Sequence, residues 1–204
     1  MTVVVGLDLA GSPKRGTGAC RMAGPRRISS ELLHEDGEVI EFVRAASPEL
    51  VVIDAPLSLP RGRATIEDRS GPHLRECDRE LLRRHIPFFP LTLGPMRMLT
   101  VRGLSLQQEL VRRGFTVVEG YPGGAQDILG LPRKKAGASL LQRRLRKAGL
   151  GGDLDRRSLS HDELDAVTIA WVGWRYQKGE GELIGDPSEG VMLLPRPRPH
   201  RTRR

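Results

Sequence analysis

A chain of 204 residues with 38% apolar and 28% charged residues is long enough to bury one sizeable core and short for two ordinary domains. Aromatic residues make up only 4%, so the core has to be built from Val, Leu, Ile and Ala, as in a sheet with helices laid on it. The net charge of +8 favours polyanionic partners such as nucleic acid, no stretch approaches the ~20 apolar residues of a membrane span, and Cys20 and Cys77 share no metal-ligand spacing, which excludes a zinc site.

Met1 to Ala10 runs straight into a strand pattern without a basic leader, so a cytoplasmic location is expected. The chain contains no Asn and its basic residues are chiefly Arg, a bias that suits a thermophilic source. Val3 to Leu9, Thr17 to Met22 and Arg27 to His34 are predicted as a three-strand meander, with the Gly-, Pro- and Lys-rich turn Gly11 to Gly16 between the first two. Asp36 to Ala46 has helical period, with Val39, Ile40 and Val43 on one face, and Ser47-Pro48 stops it before a fourth strand, Leu50 to Ile53. Leu57 to Gly71 is polar, carries Pro60 and Gly62, and is expected to be a loop serving a site. Helices follow over Pro72 to His85 and Pro95 to Arg113, then a fifth strand, Phe115 to Glu119, closed by Gly120-Tyr121-Pro122.

Lys134 to Gly149 reads as one strongly basic helix, Gly151 to Leu159 as a loop, and His161 to Gln177 as the last long helix. A hairpin follows, Leu183-Ile184 with Val191 to Leu194 around Asp186-Pro187, and residues 195–204 are expected to be a disordered basic tail behind a single domain over 1–194. The fold class is therefore α/β, with a five-stranded sheet flanked by helices: three meander strands plus two strands that make the sheet mixed if they run parallel.

The carboxylates stand where ordinary strands avoid them, because an ionised acid buried without a partner costs several kcal/mol. Asp8 lies within Val3 to Leu9, Asp54 ends Leu50 to Ile53, and Glu119 ends Phe115 to Val118. If these strands are parallel neighbours, their carboxyl ends open onto one crevice, the ligand site of open α/β sheets. The fourth acid lies on the last helix, whose register is set by a capping box, Ser160 with Glu163, and a hydrophobic staple, Leu159 with Leu164. At ~100° per residue, Asp165 projects from the apolar stripe toward the sheet, and Asp162 shares that edge.

Each acid also has a structural reading. Asp8 caps the following turn, Asp54 bonds amides in the Ala55-Pro56 bend, Glu119 pairs with an Arg, and Asp162 and Glu163 oppose the helix dipole. Together the acids form an oxygen-only cluster of the kind that selects Mg²⁺ or Mn²⁺.

The motifs Gly6-Leu7-Asp8, Ile53-Asp54-Ala55-Pro56-Leu57, Arg75-Glu76-Cys77-Asp78, Glu119-Gly120-Tyr121-Pro122 and His161-Asp162-Glu163-Leu164-Asp165-Ala166 resemble, in that order, a family of predicted nucleases with a ribonuclease H-like fold. The resemblance covers Val3 to Pro195, and the last motif is similar to the final helix of Holliday-junction resolvases. It implies that Asp8 bridges two metal ions, that Asp54 and Glu119 hold or support one each, and that Asp165 with Asp162 completes the second. His161 either orients water or caps the helix, and Arg75 with Asp78 forms a structural ion pair or touches substrate.

On this reading the chain is a metal-dependent nuclease that needs carboxylates and no covalent nucleophile, and none of the usual nucleophile arrangements is evident. Lys134, Lys135, Arg143, Arg144, Arg146 and Lys147 are the candidate phosphate contacts, or else a solvated helix face. Two alternatives stand beside it. Asp8-Leu9-Ala10-Gly11-Ser12 before a hairpin resembles the first phosphate loop of actin-like kinases and ATPases, although those need a second domain and a second Gly-rich loop. A nucleic-acid binding module that has lost turnover would keep the same residues. No base-reading motif or stacking platform is visible, so DNA and RNA remain equivalent.

Overall fold

A computed structural model describes residues 2–68 and 70–197. The strands are β1 (Val4–Asp8), β2 (Thr17–Met22), β3 (Ile28–Leu33), β4 (Leu50–Asp54), β5 (Val117–Gly120), β6 (Gly181–Asp186) and β7 (Gly190–Pro195). The helices are α1 (Asp36–Ala46), α2 (Glu76–Arg83), α3 (Gly94–Arg112), α4 (Pro122–Leu129), α5 (Ala138–Lys147), α6 (Asp153–Arg156) and α7 (His161–Tyr176), with a short 3₁₀ turn at Lys134–Ala136.

Among the described residues the sheet has seven strands in the order β3-β2-β1-β4-β5-β7-β6, not the expected five. The meander and the parallel pair β4 and β5 are present, but β7 adds to β5 in parallel and brings β6 with it as an antiparallel edge. The terminal hairpin is thus part of the main sheet. Its periodicity showed two strands but carried no information on which neighbour they pair with. Of the expected tail, Pro195 belongs to β7 and residues 198–204 lie outside the described residues.

Strand alternation sends neighbouring residues to opposite faces. Val5, Leu7, Val51 and Ile53 pack with Val39 and Val43 of α1 and with Leu106 and Leu110 of α3. On the other face Val4, Leu50 and Val52 pack with Ile169 and Val172 of α7, while α5 contributes Leu141 and Leu145 against Leu164 and Val167. The last helix is therefore buried over most of its circumference, between the sheet and an outer helix. It lies so close to the strands that a Cβ on Gly6 would fall 2.3 Å from the Ala166 carbonyl oxygen, and one on Gly18 2.0 Å from that of Asp162. Glycine at these two positions brings the first turns of α7 down onto β1 and β2.

Three segments differ from the sequence reading. Pro122-Gly123-Gly124 opens α4 instead of only closing a strand: Pro stands at the first helical position, where its missing N–H costs nothing, and Gly130 ends the helix with φ 66°. The basic stretch is not one helix, because Gly137 at φ 91° separates the turn at Lys134–Ala136 from α5. Within the expected loop Gly151 to Leu159, residues Asp153–Arg156 form α6.

Candidate active site

β1 and β4 end side by side in parallel, and their register pairs Asp8 with Asp54. Both side chains leave on the face covered by α7, since Gly6 lies under that helix and Val52 packs against it. Asp165 meets them from the second turn of α7, whose start is fixed by the predicted capping box: the Glu163 N–H donates to Ser160 Oγ at 3.2 Å, and the Ser160 N–H donates to Glu163 Oε2 at 2.9 Å. Asp8, Asp54, Asp162 and Asp165 line one cavity of about 440 Å³, together with Gly11, Ser12 and Lys134.

The electrostatics are those of crowded like charges. Burial, followed by the charges of Asp165 and Asp162, pushes the Asp8 carboxyl well above its ordinary range, while Lys134 pulls the other way. Burial, followed by Asp8 and Asp165, does the same to Asp54, and the Asp8 and Asp54 carboxyls lie within hydrogen-bonding reach of one another. Asp165 is raised by burial, against the Gln126 hydrogen bond and the charge of Lys134. Gln126 Nε2 on α4 donates to Asp165 Oδ1 at 2.6 Å, and Lys134 Nζ stands 3.1 Å from Asp162 Oδ1.

Glu119 lies elsewhere. The β4–β5 register pairs it with Ile53, not with Asp54, so its side chain leaves on the opposite face of the sheet, beneath α2 and α3. There Arg75 donates from Nη1 to Glu119 Oε2 at 2.6 Å and from Nη2 to Oε1 at 2.8 Å, and the Leu57 N–H donates to Oε2 at 2.8 Å. Arg75 also bridges to Asp78 at 2.9 Å, so the ion pair expected within the Arg75-Glu76-Cys77-Asp78 motif is present and is extended by Glu119. Burial pushes the Glu119 carboxyl above its ordinary value, against the pull of the Arg75 guanidinium. The network ties the start of α2 to the backbone just after Asp54.

The remaining predicted residues divide. Lys134 lines the acidic cavity, and Lys135 beside it is exposed. Arg143, Arg144, Arg146 and Lys147 are exposed along α5, with Arg146 Nε 3.0 Å from Asp155. Glu163 belongs to the cap and to an ion pair with Arg157 at 2.6 Å. His161 does not cap the helix: Ser160 does, and His161 Nδ1 is buried with no hydrogen-bond partner among the described residues.

Gln126 escaped the sequence reading. The signal that could have found it is the Pro at the helix start with Gly130 past its end, which marks α4 and hence the face that carries Gln126.

The donor set suits a hard divalent ion, with oxygen ligands whose proton affinity burial and neighbouring acids raise. Among the described residues, however, no three His, Cys, Asp or Glu side chains are already placed to hold a single metal ion. The chemistry fits; the closing of the ligands around an ion is not built into this arrangement.

Together the seven-stranded mixed sheet, its flanking helices and the acids at the ends of β1 and β4 define an α/β protein of the ribonuclease H-like fold. Among solved structures, the chain is similar to RuvC of T. thermophilus in complex with Holliday junction substrate, at 16% identity over 88% of this chain and 96% of that one, with a TM-score of 0.54. A second RuvC structure, from Thermus thermophilus, aligns at 17% identity over 87% and 97%, with a TM-score of 0.49. No family model and no curated protein sequence matches the chain.

Proposed function

We propose that the chain is a Mg²⁺- or Mn²⁺-dependent nuclease that hydrolyses phosphodiester bonds of nucleic acid, DNA or RNA. The observation that carries this reading is the convergence of Asp8, Asp54 and Asp165, from two adjacent parallel strands and the helix crossing them, on one open cavity. Burial raises the proton affinity of all three, and the charge of Asp165 raises that of Asp8 and Asp54 further, a perturbation that clusters at functional sites. Asp8, Asp54 and Asp165 would hold the metal, with Asp162 completing the set and Glu119 supporting from behind through the Leu57 backbone. Bound divalent metal supplies activation of water and stabilisation of the leaving oxygen.

The chain's own residues do the positioning. Gln126 fixes one oxygen of Asp165 and leaves the other for the cavity. Lys134 relieves part of the negative charge beside Asp162 and carries a cation to the rim, where a phosphate would approach. Lys135, Arg143, Arg144, Arg146 and Lys147 extend that positive charge along the outer surface, and RuvC bound to a Holliday junction shows this fold carrying nucleic acid in a relative. The test is incubation of the purified protein with labelled single strands, duplexes and branched junctions of DNA and RNA, with and without Mn²⁺. Metal-dependent cleavage that disappears in Asp8→Asn supports the reading. Tight binding with no cleavage of any substrate points to the module without turnover.

A further inference from the structure

We propose that the cavity on the α3 side of Asp54 is a nucleobase pocket, which takes one unpaired base from the strand lying over the carboxylates. The proposal rests on the nuclease reading for what occupies the cleft, and adds to it the structural class of the substrate.

This cavity, about 200 Å³, is distinct from the acidic one but shares Asp54, Met96 and Leu99 with it as common wall, so the two adjoin. Its lining concentrates the chain's scarce aromatics: of four Phe and two Tyr in the whole sequence, Phe88, Phe89 and Tyr121 are here. Phe89 is 71% exposed, so it contributes little to the core, and its ring lines the cavity with a surface open to a ligand. The aromatic wall that the sequence did not reveal is assembled from the adjacent pair Phe88-Phe89 and from Tyr121, which the fold brings to it.

The floor decides what kind of ligand enters. It is formed by Arg75, Asp78 and Glu119, and the Arg75 nitrogens are committed to Asp78, Glu119 and Ser58. The guanidinium is therefore spent, and among the described residues the pocket offers a phosphate no free cation while offering a neutral ring apolar walls. Size limits the occupant as well. An apolar cavity of about 150 Å³ holds one benzene, so 200 Å³ accepts a single ring system and not a base pair. A base must be unpaired to enter, and extracting it from intact duplex costs a few kcal/mol. Strands with unpaired positions, including single strands, flaps and junction centres, are the substrates that avoid this cost.

The experiment titrates a single-stranded oligonucleotide carrying the fluorescent base 2-aminopurine against wild type, Asp8→Asn and Phe89→Ala in metal-free buffer, following base emission and, with an end label, anisotropy. The same sequence as a full duplex and with one abasic position serves as comparison. Wild type and Asp8→Asn are expected to change the emission and to bind the single strand more tightly than the duplex. Phe89→Ala, exposed and so not needed for folding, is expected to weaken single-strand binding by about 5- to 150-fold, with duplex binding unchanged. Equal emission change and equal affinity in Phe89→Ala, or no loss on the abasic strand, overturns the pocket. Cleavage is scored separately with Mn²⁺: base capture without cleavage sinks the nuclease reading and leaves the pocket standing, whereas cleavage indifferent to Phe89 sinks the pocket alone.

Discussion

Arg75 and Glu119 are joined by two parallel hydrogen bonds, of 2.6 and 2.8 Å, with both side chains almost wholly removed from water. Removing one member of such a pair strands the other charge in a low-dielectric site, which costs about 3–5 kcal/mol. Arg75→Met should therefore lose about that much stability in chemical denaturation, since it leaves both Glu119 and Asp78 unpaired. Glu119→Gln should lose less, about 1–3 kcal/mol, because Asp78 still holds Arg75. In the same variant a metal-induced rise in melting temperature should persist, as Glu119 faces away from Asp8 and Asp54. A melting curve for Glu119→Gln that no longer responds to Mn²⁺ would make Glu119 a direct ligand.

The acidic cavity sets a pH dependence whose sign can be worked out. Asp8 and Asp54 have folded-state proton affinities raised well above the ordinary carboxylate value of 3.8, so above that pH the folded state keeps protons that the unfolded chain releases. Their contribution to stability is thus most favourable at low pH, declines as pH rises from about 4, and levels off only above the raised folded values. Measured by urea denaturation in chelator, wild type should lose stability relative to Asp54→Asn across that range. Millimolar Mg²⁺ at pH 8 should recover the difference by binding only the folded state, worth about 2.7 kcal/mol at a hundredfold excess over Kd. A difference between the two proteins that does not vary with pH would contradict the coupling.

The basic residues predict a salt dependence. Arg143, Arg144 and Lys147 are exposed on α5, and each phosphate contact contributes about 0.7 to 0.9 to the slope of log K against log salt. Replacing all three by Ala should lower that slope by about 2 to 3 and weaken every sequence alike. An unchanged slope in a salt titration of oligonucleotide binding would return α5 to the role of a solvated face.

How much of this was legible in the sequence follows from what periodicity encodes. Asp36–Ala46 is legible to the residue because period and stop agree, and the Ser160–Glu163 box fixes the phase of α7 and hence the inward direction of Asp165. Three apolar runs ending in acids correctly located the carboxyl edge of the sheet. What they could not give was register. A shift of one residue exchanges the faces of a strand, and Glu119 sits beside Ile53, so it leaves the cluster that Asp8 and Asp54 form. The Arg75 partner could be foreseen only as an unspecified Arg. Strand order was equally hidden, because β7 joins β5 through a pairing that no local pattern announces. Helix α4 was masked by a Pro-Gly-Gly start that has the composition of a turn, and Gly137 split a basic run whose charge spacing alone suggested one helix. The aromatic wall at Phe88, Phe89 and Tyr121 exists only once α2, α3 and β5 have met.

Asp165 is the acid that the second turn of α7 brings to the strand ends and that Gln126 holds at 2.6 Å. The direct measurement is the Mn²⁺-dependent cleavage rate of a labelled substrate containing unpaired positions, for wild type and Asp165→Asn, with the stability of both determined in parallel. The variant is predicted to remain folded within about 1 kcal/mol of wild type, since it removes a charge that burial and neighbouring acids disfavour, and to lose cleavage by at least a hundredfold. Cleavage by Asp165→Asn at the wild-type rate would contradict the assignment of this cavity as a metal-dependent catalytic centre.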